Sequence, residues 1–289
     1  IKKLIKNNPK TIFYLHTPVA SYLFRLFNIF QKLKIIYFVH GFRFTSKTNY
    51  IKSIFFKCIE KILSYKTGVF ITINNEDYNY AKYNLKKKGN VFKINGVGLN
   101  FHNKLNQKLH FNNKIRKILV ISAYKKEKGY LDVLSVAEML SNHKINITCY
   151  GYGDNKKYEQ IKIKKKLKNI RFNNFDRNLE NKIKNYDILL HLSKREGLPV
   201  AIMQSLLNGL PVICYNIRGN NDLIEDRYNG YFIKSCEEVL QKINYLNLET
   251  NIFSKMKSNA LNTINKNFSK DQINSNLFKI IKNYYKSSK

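Results

Sequence analysis

Acidic side chains are scarce in this chain: Asp and Glu total 19 against 52 Lys and Arg, a formal charge of +33 over 289 residues. No two aspartates stand as Asp-x-Asp, so a carboxylate clamp for a metal-bound diphosphate is missing. Nor is there a GxxxxGK[ST] loop, an HExxH helix or a GxSxG turn, which excludes a P-loop phosphate cradle, a zinc hydrolase and a serine nucleophile elbow. The four cysteines, Cys58, Cys149, Cys214 and Cys236, are too far apart for a CxxC metal site and too sparse for a disulfide scaffold. A reducing compartment is the default. Cys149 and Cys214 fall in apolar strand patterns and are expected as buried thiols. No stretch reaches the ~18–20 apolar residues of a membrane span. The most apolar region, 12–44, is interrupted by His16, Arg25, Asn28, Gln31 and Lys32. No signal peptide is visible, and since the chain opens on Ile1 rather than Met, a fragment of a longer product or a degenerate gene is expected.

The positive charge has two readings. Lys greatly outnumbers Arg, and Asn and Ile are abundant, as an AT-rich genome yields without selection for any partner. Basic runs such as Lys86-Lys87-Lys88 and Lys164-Lys165-Lys166 also lie on or beside expected helices, as solvated faces do. The functional reading is attraction to an anionic surface. A membrane leaflet is favoured over nucleic acid, because no nucleic-acid motif accompanies the charge.

Strand-like and helix-like stretches alternate throughout, the pattern of βαβ units in parallel sheets. Strands are expected at 11–15, 35–39, 68–73 and 91–94, with helices over 18–33, 49–65 and 76–88. The Asn-rich stretch 95–114 reads as a linker. A second series opens at 118–121 and continues through 145–150, 170–172, 186–192, 210–215 and 231–233, before a last helix at 270–285. The expected organisation is an α/β half over 1–95, a linker and domain start over 96–117, a second α/β half over 118–267, and a C-terminal helix over 268–289 that packs back on the first half.

The richest segment is Arg195-Glu196-Gly197-Leu198-Pro199-Val200-Ala201-Ile202-Met203-Gln204. An acidic residue in a Gly-Pro turn leads into a short helix, 200–208, then Gly209, a strand and the turn Ile217-Arg218-Gly219-Asn220. This order sets a carboxylate beside a helix N-terminus able to hold a phosphate. It does so at the carboxyl ends of parallel strands, where open α/β sheets bind ligands.

At these residues the sequence resembles glycosyltransferase family 4, retaining sugar-nucleotide transferases whose signature is a Glu, seven residues and a second Glu in a segment like EGLPVAIMQSLLNGLPVI. The resemblance implies an α/β GT-B fold, two Rossmann-like parallel-sheet domains facing across a cleft, with the first lacking its N-terminal part. Family members carry further βα units and a Gly-rich loop before the stretch matching Thr11 onward, so the chain as given is expected to be inactive or nearly so. Glu196 falls on the first family carboxylate, near the donor sugar, and Gly197, Leu198 and Pro199 complete its turn on the donor side. Gln204 falls on the second, which the family sets on the ribose hydroxyls. An amide bonds there with ~1 kcal/mol where a carboxylate gives ~2, so Gln204→Glu is expected to tighten nucleotide binding.

Other similar pieces are His16-Thr17-Pro18, His40-Gly41-Phe42-Arg43-Phe44, Ile73-Asn74-Asn75-Glu76-Asp77-Tyr78, Asn95-Gly96-Val97 and the 217–224 turn. Their order is closest to bacterial capsule, exopolysaccharide and lipopolysaccharide assembly transferases. By itself a strand-end His more often makes a local turn bond; the resemblance makes His40 a catalytic-site residue against the donor sugar and assigns His16 to the acceptor side. Lys128, after the strand at 118–121, is read as a diphosphate partner, or else as one more solvated lysine. The family Arg five residues before it is Ala123 here, with Lys125 and Lys126 as possible point-charge substitutes. Tyr150-Gly151-Tyr152-Gly153 reads as a tight turn, and Arg177 either borders the base or lies on the surface. The implied function is transfer, with retention, of a hexose or N-acetylhexosamine from a nucleotide donor, UDP expected, to a polyprenyl-diphosphate-linked glycan. No metal, cofactor, covalent nucleophile or nucleic-acid partner is expected. The site would be cytoplasmic, peripheral on the inner face of the membrane. The alternatives are an inactive remnant of such an enzyme and a basic nucleic-acid-binding protein.

Overall fold

The computed structural model describes residues 8, 11–85, 90–101 and 114–287. The rest of the opening stretch 1–10, the Lys86-Lys87-Lys88 run and residues 102–113 of the expected linker lie outside the described residues. The chain divides into two units, Ile1–Gly98 with Asn267–Lys289, and Leu99–Lys266.

In the first unit β1 (Ile12–His16), α1 (Pro18–Phe27), β2 (Lys34–Val39), α2 (Tyr50–Ser64), β3 (Val69–Thr72), α3 (Asn75–Tyr80), a π-helical turn (Ala81–Leu85) and β4 (Asn90–Lys93) follow in order. The sheet runs β1-β2-β3-β4, parallel throughout. β2 reads Lys-Ile-Ile-Tyr-Phe-Val and β3 Val-Phe-Ile-Thr, nearly continuous apolar runs that are buried, as strands covered on both faces must be. Asn49 caps α2 by accepting from the Ile51 and Lys52 amides, and Asn74 caps α3 through Asp77 N. α1 stops at Phe27, short of the expected 33. The Asn28 side chain turns back to donate to Phe24 O (2.8 Å), a local bond that competes with helix propagation. The expected helix over 76–88 likewise changes to π geometry at Ala81. The C-terminal helix, Lys270–Ser287, belongs to this unit. Its Ile273 is buried, and its Tyr285 ring lies 6.0 Å from the Lys34 ammonium.

A charged pair lies at the centre of this unit. Arg25 and Glu60 are fully buried and bonded, Nη2 to Oε2, at 2.9 Å. Arg25 also donates to Thr67 Oγ1 and Ser21 O, and its guanidinium lies 4.6 Å from the Tyr37 ring. Burial pushes the Glu60 carboxyl up, and the Arg25 charge draws it only part of the way back. Such a pair is costly to break from one side. Arg25→Ala is expected to lower the stability of this unit by ~3–5 kcal/mol in urea unfolding followed by hydrogen exchange. The paired change Arg25→Met with Glu60→Met should recover most of that loss. A single-mutant cost below ~1 kcal/mol would contradict a structural role for the pair.

The second unit contains β5 (Lys117–Ile121), a 3₁₀ turn (Lys126–Lys128), α4 (Tyr130–Met139), β6 (Asn146–Gly151), α5 (Lys156–Lys164), β7 (Ile170–Asn174), α6 (Leu179–Lys182), β8 (Ile188–His191), α7 (Val200–Leu207), β9 (Val212–Tyr215), β10 (Gly230–Ile233), α8 (Cys236–Leu248) and α9 (Thr250–Thr263). The six strands run β10-β9-β8-β5-β6-β7, all parallel. Ile118, Val120, Leu134, Ile147, Ile188, Leu190 and Ile213 form its core. Cys149 and Cys214 are fully buried, and burial pushes both thiols up. From β5 the chain builds outward first through β6 and β7, then through β8, β9 and β10 on the other side. The β5–β8 boundary is therefore the switch point of the sheet, where the crossover loops part and leave a crevice at the strand ends.

Candidate active site

Three turns converge at that boundary. β8 ends at His191, and residues 192–199 lead into α7. Gly129, which closes the turn after β5, has φ 75°, and a Cβ there would come within 1.9 Å of Leu192 O. Only glycine meets both demands, so the 126–129 turn lies directly on the loop after β8. Lys194 N donates to Glu127 O at 2.8 Å and locks the contact. The turn after β9 approaches from the other side: Gly219 has φ 82°, and its missing Cβ would come within 2.3 Å of Gly197 O. The buried Arg218 donates through Nε to Glu196 O at 3.0 Å. Glu196 is thus held by its backbone before its side chain makes any bond.

That side chain is the centre of a cluster. Lys128 Nζ lies 2.6 Å from Glu196 Oε1, and His191 Nε2 lies 3.2 Å from the same oxygen. The carboxylate is only 12% exposed and the lysine 21%. Burial alone would push the carboxyl up, but the hydrogen bonds and charges of His191 and Lys128 outweigh it and hold the group at about 2. Beside it α7 begins after Pro199, with neither a side-chain cap nor an acidic residue in its first turn. Its leading amides and the positive end of its dipole are therefore open to an anion. The cluster pairs a fixed negative charge with a cation that an incoming phosphate can share.

The other expected site residues divide. Gly197 and Leu198 are half-buried and Pro199 is buried, all in the Glu196 turn. Gln204, one helical turn into α7, donates through Nε2 to Glu180 Oε1 on α6 at 2.8 Å. A carboxylate at 204 would lose this bond and face Glu180 with like charge. Arg177 is exposed on the loop after β7, two strands along from β5. Ala123 is buried, whereas Lys125 and Lys126 are exposed. In the first unit His16 ends β1 and His40 follows β2, and their rings meet, Nδ1 to Nε2, at 3.0 Å. Burial lowers both imidazole pKa values, and His16 lowers His40 further. They form a neutral pair in which one ring donates and the other accepts. Among the described residues no group of three His, Cys, Asp or Glu is placed to hold a metal ion.

His191 and Glu180 did not emerge from the sequence, and Arg218 emerged only as a member of the 217–224 turn. The strand-end position that singled out His40 also applies to His191, five residues before Glu196. Glu180 has no comparable signal, because only the fold sets α6 against α7.

The family model for glycosyl transferases group 1 matches residues 101–263, more than half of the chain. The chain belongs to that family. It is 28% identical over 251 residues to the putative glycosyltransferase EpsD of Bacillus subtilis, covering 81% of this chain and 66% of that one. It is 25% identical over 252 residues to an Escherichia coli UDP-Gal:alpha-D-GlcNAc-diphosphoundecaprenol alpha-1,3-galactosyltransferase, covering 80% and 64%. A mutant of Staphylococcus aureus TarM, solved with fondaparinux, alpha-GlcNAc-glycerol and UDP, superimposes with a TM-score of 0.76 at 20% identity, over 98% of this chain and 57% of that one. The chain thus spans less than two thirds of each of these proteins. The fold is that of the GT-B glycosyltransferases, two parallel-sheet α/β units, as the resemblance implied.

Two titrations test the electrostatics. In carbon-13 NMR the Glu196 carboxyl should titrate near 2, and Lys128→Met should move it upward; a midpoint at the ordinary 4.5 would mean the cluster does not form. Its contribution to stability is present above the ordinary value and is lost as pH falls towards 2. His16 and His40 should both titrate below the ordinary 6.5. As pH falls past that value the unfolded chain takes up protons that the folded pair refuses, so the first unit loses stability in acid and is unaffected well above neutrality. A midpoint above 6.5 for either ring would contradict the neutral pair.

Proposed function

We propose that the protein transfers a hexose or N-acetylhexosamine from a UDP donor to a polyprenyl-diphosphate-linked glycan in surface polysaccharide synthesis, with retention at the anomeric carbon. The observation that carries this reading is the Lys128–Glu196–His191 cluster beside the open start of α7. The donor diphosphate lies along the α7 N-terminus, and as the glycosidic bond to phosphate breaks, Lys128 meets the charge that develops on the leaving oxygen. Glu196, ionised and backbone-anchored, stabilises the positive charge on the sugar. The resemblance adds His40 as a hydrogen-bonding contact to the donor sugar and His16 on the acceptor side; the neutral state of the pair suits that use. The Gln204 amide and the Glu180 carboxylate beside it serve the ribose hydroxyls together, and Arg177 borders the base. No metal takes part in this scheme.

The relatives support the substrate classes. The E. coli relative is named for a UDP-galactose donor and a diphosphoundecaprenol-linked acceptor, and TarM was solved with UDP. We take the reaction to lie on the cytoplasmic leaflet, where such an acceptor meets a nucleotide donor. No helix among the described residues is long and apolar enough to cross a membrane.

Calorimetric titration with UDP is the test. Lys128→Met should weaken UDP binding by roughly tenfold or more, the scale of a charge-assisted bond. Glu180→Gln should weaken it less. Glu196→Gln should leave UDP binding largely intact yet slow transfer by the full-length protein by roughly 10²-fold or more, and EDTA should leave transfer unchanged. Absence of binding by any nucleoside diphosphate, or normal transfer by Glu196→Gln, would overturn the proposal.

A further inference from the structure

Helices that cover a sheet normally bury an apolar stripe and expose a polar one. α1 and α2 do the reverse. On α1 the buried residues are Ser21 and Arg25, whereas Leu23 and Leu26 are about half exposed and Phe27 is 79% exposed; Phe30, just beyond, is almost fully exposed. On α2 the buried residues are Ser53, Glu60, Leu63 and Ser64, three of the four polar, while Ile51, Ile54, Phe55 and Ile62 are exposed. Those positions, spaced i, i+3, i+4 and i+11, share one helical face. The two inward-facing charges, Arg25 and Glu60, pair with each other through Glu60 Oε2, while Glu60 Oε1 and Ser21 Oγ are buried without a hydrogen-bond partner.

The two apolar faces form one surface. β1, β2 and β3 are consecutive, adjacent and parallel, so crossovers of the same hand put α1 and α2 on the same side of the sheet, and the buried pair joins them directly. Around this surface the charge is of one sign. Glu60 is the single acidic residue in the first 75 positions, and it is buried, whereas Lys32, Lys52, Lys57 and Lys61 are exposed.

We propose that the α1–α2 face is the surface by which the protein lies on an anionic lipid bilayer. Phe27, Phe30, Ile51, Phe55 and Ile62 enter the boundary between headgroups and acyl chains, and the lysines extend to the lipid phosphates. Apolar area and basic charge act together, since one such signal alone gives only marginal membrane binding. A second copy of this chain fits less well, because it would bring two lysine rims together with no exposed carboxylate to relieve them. The inference deepens the membrane placement above but does not depend on the transfer chemistry. Vesicle binding without UDP binding would separate the two.

The chain has no tryptophan, so single probes report on their own surroundings. Phe55→Trp should show blue-shifted emission, quenched by brominated lipid, with vesicles of roughly a third phosphatidylglycerol in phosphatidylcholine, and much less with phosphatidylcholine alone. Leu248→Trp, at an 81% exposed position on the second unit, should show neither change. In the chain with Phe27→Ser and Phe55→Ser, partition into the anionic vesicles should fall by roughly tenfold or more, with unchanged circular dichroism because both sites are exposed. Four results would overturn the proposal: no binding to the anionic vesicles, binding with unshifted Phe55→Trp emission, which means charge contact alone, a blue shift that grows with protein concentration without vesicles, which means a second copy occupies the face, or emission already blue-shifted without vesicles and independent of concentration in the longer protein, which means a preceding segment of the chain covers it.

Discussion

The close approach of three backbone turns at the β5–β8 boundary is the constraint on which the site depends. Gly129 lets the turn after β5 touch Leu192 O, and Gly219 lets the turn after β9 touch Gly197 O. Between them Glu196 has little freedom left, and its carboxylate meets Lys128 at 2.6 Å. Preorganisation of this kind is what makes a charge useful in catalysis, since no reorganisation is required as the reaction proceeds. It also explains why a carboxylate can be buried here without becoming protonated: Lys128 and His191 are both set on one of its oxygens.

The two units handle buried charge differently. In the second, the Glu196 cluster lies at the end of the sheet, with both partners partly open to solvent, so a ligand can exchange with either. In the first, Arg25 and Glu60 are sealed. That pair does no chemistry in this account; it allows two helices to turn their apolar sides outward. An ion pair open to a ligand suits binding, and a closed one suits architecture.

Most of the fold was legible in the sequence, because parallel strands covered on both faces write themselves as short apolar runs, as in Ile118-Leu119-Val120 or Ile35-Ile36-Tyr37. The Glu196 turn was legible because a Gly-Pro turn before a helix is a local signal. Helix ends were less so: α1 stops where the Asn28 side chain bonds back to Phe24 O, a choice that composition does not reveal. Long-range partners were not legible. Gln204 meets Glu180 across 24 positions of sequence and Arg25 meets Glu60 across 35, and in the sequence Arg25 is merely an interruption of an apolar stretch. The outward apolar faces were hidden for the same reason, since periodicity gives the width of a stripe but not the side on which it lies.

When a diphosphate arrives, Lys128 leaves Glu196 or is shared between the two anions. The most direct measurement is the carbon-13 titration of the Glu196 carboxyl in the presence of saturating UDP, compared with the free protein. Its pKa should rise from about 2, because the carboxylate loses part of its cation and gains an anionic neighbour. A Glu196 resonance and midpoint unmoved by bound UDP would place the diphosphate elsewhere and contradict the account.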